Sequence, residues 1–251
     1  MNKLYTYKDT FSSLLSLIKY LSTFNIKNIN IKNDLYTPNL LEREIFLDIN
    51  TLNIEAVIIN DIGIINFNVL FYLYLSNEKN KENIMYYFYL NALRYKDTIL
   101  KRRNLNCVTE ANRIIKYVKG ENHKFKGFVR FKELNNKILY SEINPTNNIL
   151  PILSIHFKNR LKEECWIIKD VNRNIYALYD KKDIQIVNVE KIPLNVENLS
   201  NTEIEMETMW KTFYNTIGIE ERKNNRCRMN FMPKKYWKYI LEVGDINEES
   251  N

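Results

Sequence analysis

The sequence is poor in the residues that build the commonest enzyme sites. Its 251 residues hold five glycines (Gly63, Gly120, Gly127, Gly218 and Gly244), and neither G-x-G-x-x-G nor G-x-x-x-x-G-K-[ST] can be assembled from them. Two histidines, His123 and His156, exclude a three-histidine zinc site within one chain. Three cysteines, Cys107, Cys165 and Cys227, exclude a four-cysteine site and provide no C-x-x-C pair. Their wide separation argues for a reducing compartment. Long apolar runs are also missing: the most apolar stretch, Ile54 to Leu75, is interrupted by Glu55, Asn60, Asp61, Asn66 and Asn68, short of the ~20 residues a membrane span requires. Met1 to Phe11 lacks the form of a signal peptide. The predicted setting is cytoplasmic, with no membrane partner, no metal and no cofactor.

What the chain does carry is an ordinary globular balance, 45% apolar and 27% charged, with 37 Lys+Arg against 30 Asp+Glu. The net charge of +7 favours a polyanionic partner. Lys, Asn and Ile are all abundant, as an AT-rich genome would produce, so composition alone does not separate a binding surface from drift.

Apolar spacing predicts a helix from Asp9 to Phe24, capped by Asp9 or Thr10. Ile26 to Ile31 and Glu44 to Asn50 read as short strands, and Glu55 to Leu75 is ambiguous between the two periods. Helices follow over Ile84 to Arg103 and Val108 to Lys119, the latter expected to stop at Gly120. Phe125 to Leu134 alternates and is answered by Lys137 to Ile143 across Asn135-Asn136, a hairpin signal. Asn148 to Leu161 reads as a helix with Pro151 in its first turn. Trp166 to Val171, Ile175 to Tyr179 and Ile184 to Val189 read as three strands, then helices over Thr202 to Glu221 and Lys234 to Leu241. The predicted class is α+β, a mainly helical N-terminal half followed by an antiparallel sheet (hairpin plus three-strand meander) with packed helices. The predicted division is 1–120, 121–241 and an acidic tail, 242–251.

The densest chemical signal is Ile219 to Tyr239, where Arg222, Arg226, Lys234 and Lys235 interleave with Tyr236 and Trp237. Cations track phosphates and flat rings stack on bases, so the mixture fits nucleic acid; a basic face with buried aromatics fits it equally. His123 and His156 both sit beside cations and aromatics and are candidate acid–base or phosphate-binding groups. Asp170 stands three residues before Arg173, so the carboxylate can orient the guanidinium, act as a base, or simply stabilise a turn.

These residues carry a family resemblance. His123-x-Phe125-Lys126-Gly127-Phe128-Val129-Arg130-Phe131, then Ile149-Leu150-Pro151-Ile152-Leu153-x-x-His156-Phe157-x-x-Arg160, Trp166-Ile167-Ile168-x-Asp170-x-x-Arg173, and Trp210-Lys211-x-Phe213-Tyr214 through Met232-Pro233-Lys234-Lys235-Tyr236-Trp237 occur in that order. Together they resemble a bacterial family of DNA repair or DNA metabolism proteins. Its C-terminal domain of unknown function also occurs fused to uracil-DNA glycosylase-like domains. The stand-alone form is typically encoded beside a radical-SAM protein resembling DNA photoproduct lyases. Lys169 stands where the family often has His, Asn225 where it has Pro and Gly218 where it commonly has Ala, which removes one candidate acid–base group.

The resemblance implies DNA as platform or substrate and a radical-SAM enzyme as partner. On that reading Arg222, Arg226, Lys234 and Lys235 contact phosphate, Arg130, Arg160 and Arg173 extend the same basic surface, and Tyr236 and Trp237 add stacking. His123, His156 and Asp170 would centre a catalytic pocket for hydrolytic or lyase chemistry on a damaged nucleotide. The chain lacks C-x-x-x-C-x-x-C and so is not itself the radical enzyme. A rival reading is a non-enzymatic adaptor docking that enzyme through Tyr86, Tyr87, Phe88 and Tyr89 without contacting DNA; RNA is a third partner the composition does not separate from DNA.

Overall fold

The computed structural model describes residues 2–24, 26, 29–39, 41–49, 51–188, 199–217 and 224–239. It is an α+β structure with two sheets. The chain divides into two compact units, Met1–Gly120 and Glu121–Asn251. Among the described residues no helix is long and apolar enough to cross a membrane.

The first unit opens with β1 (Asn2–Tyr7), the central strand of a parallel sheet between β2 (Asn30–Asn33) and β3 (Glu42–Phe46). β2 and β3 overlap the short strands expected over Ile26 to Ile31 and Glu44 to Asn50, whereas β1 and the parallel pairing are additions to the sequence expectation. Parallel strands leave no tight-turn signal, because their pairing is closed by a crossover rather than a hairpin. Helix α1 (Phe11–Thr23) packs on β1 and is capped by Thr10, whose hydroxyl accepts the Ser13 N–H. The ambiguous apolar stretch is two helices, α2 (Ile54–Ile62) and α3 (Ile64–Leu75), broken at Gly63. Gly63 has φ +81°, a conformation that costs a residue with a side chain dearly. Helix α4 (Lys81–Tyr95) follows and runs into a 3-10 segment, Lys96–Lys101.

Helix α5 (Asn106–Phe128) does not stop at Gly120. It continues through both Gly120 and Gly127, so the strand expected over Phe125 to Leu134 shrinks to β4 (Lys132–Glu133). The alternation of Phe125, Gly127, Val129 and Phe131 misleads because Phe125, Phe128 and Val129 are also spaced as one helical face, and that face is buried or half-buried.

In the second unit β4 pairs antiparallel with β5 (Leu139–Ile143). Helix α6 (Leu150–Arg160) carries Pro151 in its first turn. Strands β6 (Trp166–Asp170), β7 (Ile175–Tyr179) and β8 (Ile184–Asn188) form the expected meander. The sheet order is β4-β5-β6-β7-β8, but β5 and β6 run parallel, Leu139 opposite Trp166 and Ile143 opposite Asp170. The sheet is therefore mixed, not antiparallel throughout, because α6 is a crossover that returns the chain to the same end. Leu134, Tyr140, Ile167 and Tyr176 form the core on one sheet face. Trp166, Ile168 and Ala177 point to the other, toward the side where α6 packs. Helix α7 (Asn201–Ile217), helix α8 (Asn225–Phe231) and a 3-10 segment, Lys234–Tyr239, complete the unit. The last stands where a helix to Leu241 was expected; residues 240 and 241, and the acidic tail 242–251, lie outside the described residues.

Candidate nucleic-acid interface

Three segments of the second unit contain no acidic residue: Asn122 to Lys132, Asn144 to Lys162, and Asn224 to Tyr239. Packing brings them together. Phe125 and Phe128 of α5 meet the ring of Tyr236 at 4.9 and 5.5 Å. Phe131 meets Phe157 of α6 at 5.1 Å. While these apolar faces turn inward, His123 and Lys124 of α5, and Arg130 just beyond it, stay exposed. Arg130 Nη1 donates to the carbonyls of Gly127, 2.7 Å, and Val129, 3.2 Å, satisfying the C-terminal end of α5.

On α6, His156 is half-buried, its ring edge-on to Phe157 at 5.1 Å, and its buried Nε2 has no hydrogen-bond partner among the described residues. Burial, then the positive charges of Lys126 and Arg160, push its pKa below 6.5, so the imidazole is held neutral between two cations. Lys124, Lys126 and Arg160 have no acidic partner among the described residues, whereas Lys158 meets Asp183 at 3.2 Å and Lys132 meets Glu207 at 2.8 Å. Unpaired cations around a neutral ring are a place an anion can bind, since an arriving phosphate brings the negative charge that the surroundings lack.

Asp170 and Arg173 do different work. Asp170 is fully buried; its Oδ1 accepts the backbone N–H of Asn172 at 3.1 Å and of Arg173 at 3.3 Å, and its Oδ2 meets Arg173 Nη1 at 2.9 Å. The guanidinium also donates to the carbonyls of Pro145, 3.3 Å, and Thr146, 2.5 Å. Burial pushes the Asp170 carboxyl up, against the lowering pull of Arg173. The pair pins the turn after β6 to the loop before α6. Glu121 holds the same loop from α5. Its carboxylate accepts the N–H groups of Thr146 and Asn147, both at 2.8 Å, the Asn147 amide at 2.7 Å and the Tyr236 hydroxyl at 3.0 Å. Burial alone would raise its pKa, but the hydrogen bonds from Asn147, Thr146 and Tyr236 prevail and hold it below the usual carboxylate range.

His123, His156 and Asp170 thus stand on α5, α6 and the end of β6, and no hydrogen bond joins any two of them. With both carboxylate oxygens of Asp170 engaged, it orients no histidine here. Tyr236 and Trp237 are each 4% exposed, Trp237 donating its Nε1–H to the Met232 carbonyl at 2.8 Å. Neither ring offers a face to a base, which corrects the stacking role expected of them; both serve the core, as buried indoles and phenols with a satisfied polar end generally do. Arg226 and Lys234 are exposed, with Lys234 5.9 Å over the Trp237 ring. Arg222 and the side chain of Lys235 lie outside the described residues. In the first unit Tyr86, Phe88 and Tyr89 are fully buried and Tyr87 is 37% exposed, so the aromatic docking face expected there is core instead.

Two contributors escaped the sequence reading. Lys126 lies within a matched motif, but its link to His156 appears only when α5 continues as a helix. Glu121 has no local signal, because its partners are 25, 26 and 115 residues away. Among the described residues no group of three or more His, Cys, Asp or Glu is placed to hold a metal ion.

A family model described as a domain of unknown function, DUF4130, matches residues 79–242. No curated protein and no solved structure matches the chain.

Proposed function

Since the chain belongs to the DUF4130 family of unknown function, we propose that it is a DNA-binding protein of repair or modification, working beside a radical-SAM enzyme, with its phosphate contacts at the ends of α5 and α6. The observation that supports DNA binding is the packing of three acid-free segments on one another, two of which bring Lys126 and Arg160 to His156. Charge segregation of this kind, more than the net +7, is what attracts a phosphate backbone. Lys124, Lys126, Arg160, Arg226 and Lys234 contact phosphate on this reading, and the charge of a bound phosphate favours uptake of a solvent proton by His156. The repair setting and the radical-SAM partner are supported by the sequence resemblance alone. Any processing of a damaged nucleotide centres on His156, with Asp170 and Arg173 shaping the loop beside it.

The test is fluorescence anisotropy with duplex, single-stranded and abasic-site DNA across a salt series. Affinity is expected to fall steeply with salt. Lys124→Ala/Lys126→Ala/Arg160→Ala is expected to reduce the slope of log K against log salt by roughly 2 to 3. Absence of binding at low salt, or a slope the triple variant leaves unchanged, overturns the reading.

A further inference from the structure

The first unit has a charge imbalance of its own. From Asn83 to Thr109 the sequence holds five cations, Arg94, Lys96, Lys101, Arg102 and Arg103, against one acid, Asp97. All five cations are exposed, and none has an acidic partner or a side-chain hydrogen bond among the described residues. Arg113 of the same unit, by contrast, meets Glu78 and Glu110, each at 2.9 Å. A helix C-terminus attracts cations, but α4 ends at Tyr95, so its dipole accounts for Arg94 and Lys96 and not for the three cations beyond them.

The backbone here is bent in a way that gathers these side chains. Lys96 stands at φ 43°, ψ −124°, a conformation disfavoured for a residue with a side chain. Buried Asn66 of α3 holds it, its Nδ2 donating to the Lys96 carbonyl at 3.2 Å and to that of Ile62 at 2.8 Å. From this bend the 3-10 segment brings the chain back, and the guanidinium carbon of Arg102 lies 3.9 Å from the centre of the Tyr95 ring. That of Arg94 lies 5.2 Å from the same ring. Two guanidinium groups therefore share one aromatic ring, and neither is paired with a carboxylate. A ring contact engages the flat face of a guanidinium and leaves its edge of N–H donors unused.

We propose that this turn is a second phosphate contact for DNA. Arg94 and Arg102, held on Tyr95, donate to the phosphate backbone, and Lys101 and Arg103 add charge beside them. The proposal rests on the reading that the protein binds DNA, and it adds a contact on the first unit to those on the second. A phosphodiester backbone supplies the negative charge that five unpaired cations lack, and the planar fork of arginine matches its oxygens.

Fluorescence anisotropy with duplex DNA across a salt series tests it in two backgrounds, the wild type and the Lys124→Ala/Lys126→Ala/Arg160→Ala variant. In each, Arg94→Gln/Arg102→Gln is expected to lower the slope of log K against log salt by roughly 2. Arg102→Lys keeps the charge but loses the planar fork, and is expected to hold the slope while weakening binding about fivefold at fixed salt. Lys8→Gln/Lys79→Gln, which removes two exposed cations of the same unit outside this turn, is expected to leave the slope unchanged. All these positions are exposed, and an unaltered circular-dichroism spectrum and melting temperature show that the variants fold. If the wild type binds and only the second-unit variant flattens the slope, this inference falls and the DNA reading stands. If the Arg94→Gln/Arg102→Gln pair alone flattens it, the second-unit contacts fall and this one stands. An equal loss in Lys8→Gln/Lys79→Gln, an Arg102→Lys protein that binds as tightly as the wild type, or the absence of any DNA binding also overturns the inference.

Discussion

The two units each build a polar network around one carboxylate and one tyrosine, and they use it differently. In the first, Asp61 accepts from Lys19 and from the buried Tyr89 hydroxyl, both at 2.6 Å, tying α1, α2 and α4 together through an ion pair that remains partly wet. In the second, Glu121 is 5% exposed and gathers two backbone N–H groups, an amide and the Tyr236 hydroxyl. The first network joins helices that already share an apolar interface, so its loss leaves the packing in place. The second sets the conformation of a loop with no regular hydrogen bonding of its own, and that loop leads into the helix carrying His156. Burial of a carboxylate is tolerated where it replaces a backbone partner that secondary structure would otherwise supply.

The comparison can be broken most directly by removing each carboxylate. Glu121→Ala strands several buried donors and is expected to cost about 3 kcal/mol or more in urea denaturation. Asp61→Ala, which removes a half-solvated ion pair and strands one buried hydroxyl, is expected to cost about 1–2 kcal/mol. Equal losses would show that the two networks play one role.

A smaller effect sharpens the same contrast at the site that the Glu121 loop leads into. Because burial, Lys126 and Arg160 depress the His156 pKa below 6.5, the free protein carries a neutral ring at neutral pH. The unfolded chain takes the proton first, so the stability this neutral ring contributes is present above pH 6.5 and lost as pH falls through the lower folded value. A bound phosphate reverses the preference, because it favours the charged ring. DNA affinity is therefore expected to rise roughly fivefold as pH falls below 6.5, beyond any change in His156→Gln. Identical pH profiles for the two proteins would remove His156 from the interface.

The smallest effect concerns the helix that the sequence reading cut short. A Cβ at Gly127 would meet nothing within 4 Å, so Gly127→Ala is expected to stabilise the protein by about 0.5–1 kcal/mol, read as a higher urea midpoint. A loss of stability instead would show that the glycine backbone at this point is needed within the fold.

Legibility followed the range of the interactions. The meander β6–β7–β8 was readable because its turns are local and marked: Asn174 and Lys181 sit at φ 52° and 74°, in stretches rich in Asn and Asp. Helix α6 was readable from Pro151 in its first turn. The parallel pairing of β5 with β6, the sheet around β1 and the passage of α5 through two glycines were not, since each is decided by partners distant in sequence. The site shows the same division. His156 and Arg160 stood out by residue type and neighbourhood, whereas the burial of Tyr236 and Trp237 and the locking of Asp170 depended on Glu121, Met232 and the Pro145–Thr146 carbonyls.

The crossover through α6 also has a consequence in time. While the chain is being made, β5 emerges with the two residues of β4 as its neighbour, and its lasting partner β6 begins at Trp166, after α6. At ~5–20 residues per second the ribosome needs roughly one to five seconds to deliver it. Until then one edge of β5 is open to any strand that meets it. Slowing translation across α6 should lengthen that interval and raise the fraction of chains that aggregate before release.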